Sequence, residues 1–371
     1  MKKIILGLGI FALALIGISA SVTNPDSKLT ENFNYGNPEI ASINSLSFGP
    51  EGILFIGDSK NAAIYAIETK DTASKEKAEA INLGDFDTKI AAAIGTTVDN
   101  IRINDMAVNP VSKAVYFAVN VTDGTPVLLK LNGESFENVS LKEASYSKIN
   151  LENAVAEDAK DRRGRPQRYW AISDLKYHNG KVLVSGLSNK EFSSTFRSIP
   201  FPFKASQDHA SLEIWHAAHG KYETHSPIKT FDVIEMEGKE YLMASYTCTP
   251  LVLFPMSDLK EGAHTKGRTV AELGAGNSPL DMVTYEKQGK KYFLMSNTNR
   301  PVMRISYDNI AGFDESLTTP VKGYKTSGVA YDNLPMPYVL QMDKLDSNNV
   351  VYMQRASNGK MVLRTRSTKR L

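Results

Sequence analysis

The chain has 371 residues, with 43 basic and 41 acidic side chains, 42% hydrophobic residues and a single cysteine. That near-neutral balance argues against the positive surface that nucleic-acid binding requires. Cys248 alone excludes an internal disulfide, so stability has to come from burial, for which a chain of this length is ample.

Lys2-Lys3, an apolar run over residues 4–16 interrupted only by glycine, and Ile18-Ser19-Ala20 stand in the order of a secretory signal peptide. The run falls short of the ~20 apolar residues of a membrane span, and no later stretch approaches that length. No cysteine follows it to accept a lipid. Removing residues 1–20 takes two lysines and no acid, leaving 41 basic against 41 acidic side chains. The expected organisation is a signal peptide (1–20), an N-terminal extension (21–40) and one folded domain (41–371), exported to the periplasm or beyond.

Six weakly similar openings then recur along the chain. They are Ser45-Leu46-Ser47-Phe48, Asp105-Met106-Ala107-Val108, Asp174-Leu175-Lys176-Tyr177, Thr230-Phe231-Asp232-Val233, Asp281-Met282-Val283-Thr284 and Gly328-Val329-Ala330-Tyr331. Each precedes a second short apolar run, and the spacings are 60, 69, 56, 51 and 47 residues. Repeats of short strands at this period predict an all-β chain folded as one β-propeller of six four-stranded blades. Seven is the alternative if residues 85–102 or 140–170 hold a degenerate blade.

In blade one, strands are expected at 44–48, 53–57, 63–67 and 78–83, joined by Gly49-Pro50-Glu51-Gly52 and Asp58-Ser59-Lys60-Asn61, which carry turn residues. Blade two has runs at 115–119 and 127–131. Blade three has 182–185 and 212–215, blade four 241–245 and 251–254, and blade five 292–296 and 302–305. The last blade has 338–341, 349–353 and 361–364. Short helices are expected over 88–97 and 152–160. Over residues 40–371 the chain resembles, at the level of fold, the exported propellers of the YVTN, quinoprotein-like and gluconolactonase-like superfamilies, without the WD or kelch signatures.

Equivalent positions at the start of inner strands gather at one mouth of a propeller's channel. Asp105, Asp174 and Asp281 hold such positions, and Asn189, Asn297 and Asn299 fall in strand-two-to-three turns on the same, upper, side. Carboxylates and amide oxygens are hard donors suited to Ca²⁺ or another divalent cation, similar to the metal centre of gluconolactonase-like propellers. Equally, each Asp caps a turn within its own blade.

Four of the six histidines lie between His209 and His225. His216-Ala217-Ala218-His219 has the look of a pair that takes copper or zinc. With 212–215 and 222–225 read as a hairpin, however, His219 is expected on the lower face with His178 and His264, and His209 and His225 on the upper. Cys248, in an upper-face turn, is then a thiol activated by a neighbouring imidazole or an inert packing residue.

Two insertions interrupt the repeat, and insertions on a repeat scaffold commonly carry its binding face. The first runs from Asp161 to Arg168 and supplies Arg162 and Arg165, with Tyr169 and Trp170 following; the second, residues 193–208, supplies Arg197 and Phe201. With Arg300 and Cys248 they are expected to offer guanidinium groups to an anion and aromatic faces to a small molecule or exported partner protein.

Motifs for covalent haem, a serine-hydrolase elbow, a nucleotide-binding P-loop and a zinc protease are absent, and only Trp170 and Trp215 are available to stack on a quinone. The sequence therefore points to an exported propeller that binds a ligand or partner on the face carrying the long loops. The alternative is a lactonase-like, metal-dependent hydrolase using the Asp and Asn cluster.

Overall fold

The computed structural model describes residues 28–371; the signal peptide read at residues 1–20 lies outside them. Among the described residues no helix is long and apolar enough to cross a membrane. The unit of construction is a hairpin with a two-residue turn. Asn179-Gly180, Glu237-Gly238 and Gln288-Gly289 all take positive φ at both positions, the primed turn whose twist matches the strands it joins. They pair His178 with Lys181, Met236 with Lys239 and Lys287 with Lys290, which fixes the same register in blades three, four and five.

Six sheets result, antiparallel throughout except where His264–Lys266 pairs in parallel with the fourth strand of blade three. Their middle strands are apolar on both faces, as Ile53–Asp58 is, buried at every position, because each sheet is covered by a neighbour on either side. Inner strands are Ser45–Phe48, Ile101–Val108, Asp174–His178, Ile228–Met236, Pro279–Lys287 and Val339–Asp346. Burying an aromatic such as Phe55 or Phe117 between two sheets is worth about 1.5–3 kcal/mol, and both are fully shielded.

The order of blades around the ring differs from their order in the chain. Leu46 and Tyr65 of blade one share a cluster with Tyr116 and Leu128 of blade two. Phe55 of blade one meets Val182 and Ile199 of blade three on its other side. Phe117 of blade two meets Val351 and Leu363 of blade six. Blades three to six pack in succession, so the circle reads two, one, three, four, five, six.

Edge strands are exchanged accordingly. Asn82–Leu83, which follows blade one in sequence, pairs with Met361–Ser367 of blade six. The outer strand of blade one is Ala144–Asn150, supplied after blade two is complete. Asn34–Gly36 pairs outside it.

Several expectations need correction. The fourth strand of blade one is not 78–83. Gly328 opens no blade: Ser327–Gly328 is an edge strand of blade four, pairing with Ala271 and Glu272, and the sixth inner strand starts at Val339. A helix over Phe86–Ala93 replaces the expected 88–97, while residues 152–160 form turns and no helix. Residues 193–208 are no loop insertion; they hold the third strand of blade three, Ser194–Pro200.

Candidate functional site

The inner strands bring Asp105, Asp174 and Asp281 together in the channel. Ser45 Oγ, on the blade between the first two, lies 3.1 Å from Asp105 Oδ2 and 3.4 Å from Asp174 Oδ1. Each carboxylate accepts the next N–H of its own strand, from Met106, Leu175 and Met282. Each also accepts an N–H from the neighbouring inner strand: Leu46 at 2.7 Å, Phe231 at 3.1 Å and Met342 at 2.6 Å. Asp343 does the same to Val108 at 2.7 Å. These aspartates are clasps between blades, a wider role than capping a turn within one blade.

Enclosure by protein pushes Asp105 up to about 7, with a further push from the charge of Asp174. Asp174 is raised to about 6 by burial, against the pull of Lys176. Burial, then Asp105, holds Asp281 well above the usual carboxylate range. Lys176 forms an ion pair with Asp232 at 2.9 Å.

The three asparagines are engaged elsewhere. Asn297 donates to Met295 O and Pro301 O and accepts from Asn277. Asn299 donates to Gly276 O. Asn189 is tied through its backbone N–H to Asn153 O.

The arginine-rich connection reaches the upper face in part. Arg165 closes its own turn on Asp161, with Nε 2.7 Å from Oδ2, and Arg162 is exposed. Arg168 spans from Lys60 O to Val155 O and helps shape a cleft of about 560 Å³. Asn44, Lys60, Asn61, Asn120, Glu157 and Tyr169 are among the residues on its walls. Asn120 Oδ1 is shielded and accepts no hydrogen bond from the protein.

Tyr169 packs edge-on against Trp170. Arg102 lies over the Tyr169 ring at 5.6 Å and Lys229 Nζ over the Trp170 ring at 3.8 Å, both good cation–π geometries. Burial, helped by Arg102, lowers the Lys229 ammonium to about 8. Asn120, Glu157, Arg102 and Lys229 escaped sequence analysis because each sits on a strand end or turn with no local motif around it.

Arg197 and Phe201 belong to the interior, contrary to expectation. Arg197 is fully buried and donates to Glu152 O at 2.9 Å. It lies opposite His209 in the strand ladder. Phe201 packs against Phe33, Phe55 and Phe203, at the turn from third to fourth strand and therefore on the lower side. Arg300 does stand on the upper face, where Nη2 donates to Tyr324 O. Gly274 admits its guanidinium, since a Cβ there would lie 2.2 Å from it.

The missed strand in blade three also reverses the expected faces of His209 and His219, while His225 stays high beside Ser193. Asp208–His216 is the fourth strand, running from lower to upper face, so His209 lies low and buried while His216 and His219 emerge high. There they meet Cys248. Glu223 accepts from Nδ1 of both rings, His216 at 2.8 Å and His219 at 2.7 Å. Against the upward push of burial, these bonds and the two imidazoles hold the Glu223 carboxyl far below its usual range. Cys248 Sγ lies 3.9 Å from His219 Nε2. His264 pairs instead with Ser211 and Glu213 at the outer edge of blade three, and His178 with Glu240.

No family model and no curated protein matches the chain. Among solved structures it is similar to the extracellular domains 1-2 of Drosophila semaphorin 1b, with 9% identity over 90% of this chain and 86% of that one and a TM-score of 0.40. The GH43 endo-arabinanase from Bacillus licheniformis gives 13% identity over 72% and 94%, with a TM-score of 0.37. The PQQ-bound aldose sugar dehydrogenase from Streptomyces coelicolor gives 9% over 90% and 97%, with a TM-score of 0.32. The chain is a six-bladed β-propeller.

Proposed function

We propose that this chain is an exported propeller that binds a small polyhydroxylated anion, such as a sugar acid, in the upper-face cleft beside the channel mouth. The carrying observation is the set of groups there left free to face a ligand. The exposed Glu157 offers an acceptor to hydroxyl donors, Asn120 adds a polar side chain to the wall, and the Tyr169 ring offers an apolar platform. Arg102 over that ring and Lys229 over the adjoining Trp170 ring supply countercharge, neither forming an ion pair with a carboxylate among the described residues. Polar groups converging on a concave wall with one aromatic face is the usual make-up of a small-molecule site. Export rests on the leader-like residues 1–20.

Trp170 is one of two tryptophans, so its fluorescence reports on the cleft. Gluconate and galacturonate are expected to change it saturably, the neutral sugars more weakly. Tyr169→Ala and Asn120→Ala should each weaken binding about tenfold, on the order of one good contact. Lys229→Met should erase the preference for the acid. Titrations with no response, or a response that survives in both variants, defeat this reading.

A second reading places a divalent cation among Asp105, Asp174 and Asp281, where the charge of Asp174 adds to burial in raising Asp105, and the charges of Asp105 and Asp174 add to burial in raising Asp281. Saturable Ca²⁺ binding lost in Asp281→Asn supports it. Calorimetry without heat above that of the variant rejects it.

A further inference from the structure

The geometry points to a transition-metal site formed by His216 Nε2, His219 Nε2 and Cys248 Sγ, with one coordination position left for water or an exogenous ligand. One donor atom from each residue lies within 4.8 Å of the others. The two Nδ1 atoms are engaged by Glu223, so the Nε2 atoms are the donors. His216 Nε2 is buried and has no protein partner. The 3.9 Å between His219 Nε2 and Cys248 Sγ is what one ion produces with a metal–nitrogen bond of ~2.0 Å, a metal–sulfur bond of ~2.3 Å and an angle of ~130°.

Glu223 is the independent observation. A carboxylate that accepts Nδ1–H from two imidazoles fixes both in the tautomer whose Nε2 carries the lone pair, the arrangement typical of metal-bound histidine. Its negative charge and that of a thiolate balance a divalent ion. The backbone is shaped to the same end. Cys248 and Thr249 adopt φ of 67° and 59°, a left-handed conformation unfavourable to residues with a side chain at Cβ. Hydrogen bonds from Cys248 N to Asn277 O and from Thr249 N to Tyr246 O hold that turn. On the other side, Gly220 N bonds back to His216 O, and Ala218 N donates to Glu272 Oε2 at 3.0 Å.

Two imidazoles and a thiolate select zinc or copper over calcium or magnesium. Three protein ligands with His219 half-exposed describe an open site, the kind that exchanges its fourth ligand. Binding displaces the Cys248 thiol proton to solvent, with no change of oxidation state, so affinity rises with pH.

The test uses the full chain with Zn²⁺ and Co²⁺ alone. One equivalent of Co²⁺ is expected to bind with a sulfur-to-cobalt charge-transfer band and visible bands of tetrahedral intensity, and Zn²⁺ should displace it. Cys248→Ser should remove the sulfur band, and His219→Ala should weaken binding by more than tenfold. Glu223→Gln should keep the band while lowering affinity 10- to 100-fold, as loss of an outer-shell partner does. Because variants can misfold, Zn²⁺ should also protect Cys248 of the unaltered chain from alkylation. Stoichiometry unchanged in both ligand variants, or alkylation at the same rate with saturating Zn²⁺, overturns the assignment.

Discussion

His219 and Cys248 are 29 residues apart and lie beyond the ends of strands in adjacent blades, yet His219 Nε2 and Cys248 Sγ approach to 3.9 Å. The contact exists because the fourth strand of blade three and the second strand of blade four both end on the upper face. Turns that meet there bring together residues from two separately closed hairpins.

The channel carboxylates set a pH dependence. Asp105 is raised from 3.8 to about 7, and Asp174 and Asp343 to about 6, each first by burial. Between pH ~4 and ~7 the folded chain therefore holds protons that the unfolded chain has released, so unfolding free energy falls as pH rises through that window. Urea denaturation should give a more stable protein at pH 5 than at pH 8, with a smaller difference in Asp281→Asn. A stability that climbs steadily from pH 4 to 8 contradicts the assignment.

Phe201→Ala tests whether this ring is structural. It is 6% exposed and packed on three other aromatic rings, so truncation should cost about 3–5 kcal/mol, seen as a lower denaturation midpoint. Sugar-acid binding by the folded fraction should be unchanged. A stable variant with lost binding would restore Phe201 to the ligand surface.

Arg197→Met should leave stability within about 1 kcal/mol of the parent or raise it. The guanidinium makes one hydrogen bond, to Glu152 O, while Nε and Nη1 have no protein partner; burial lowers its pKa to about 10. An apolar chain of similar length avoids that desolvation. A loss above about 3 kcal/mol, the cost of breaking a satisfied buried charge pair, would show that the charge is well partnered.

Five of the six inner strands were legible, because Ser45, Asp105, Asp174, Thr230 and Asp281 each bring a polar side chain to the channel just before an apolar stretch. Gly328-Val329-Ala330-Tyr331 has the same surface pattern, but its Gly328 packs against the backbone of Val270 and Ala271, the mark of an edge strand. Phe196-Arg197-Ser198-Ile199 is buried on both faces, but its two central polar residues break any apolar alternation and, with the nearby prolines, disguised it. Since antiparallel strands alternate in direction, omitting that one sent His209 and His219 to the wrong faces. The interchange of blades one and two is carried by their connecting segments, whose polar composition says nothing about which sheet they join.

That interchange has a consequence for synthesis. In a propeller whose blades follow the chain, each blade can close as it leaves the ribosome. Here the first sheet has an uncovered edge until residues 144–150 arrive, and Asn82–Leu83 waits for Met361–Ser367, the last of the described strands. The nascent chain thus carries unpaired strand edges, a standing hazard for intermolecular pairing, until its C-terminal blade is complete. Its dependence on holding factors during translation should exceed that of a sequentially wound propeller of equal length.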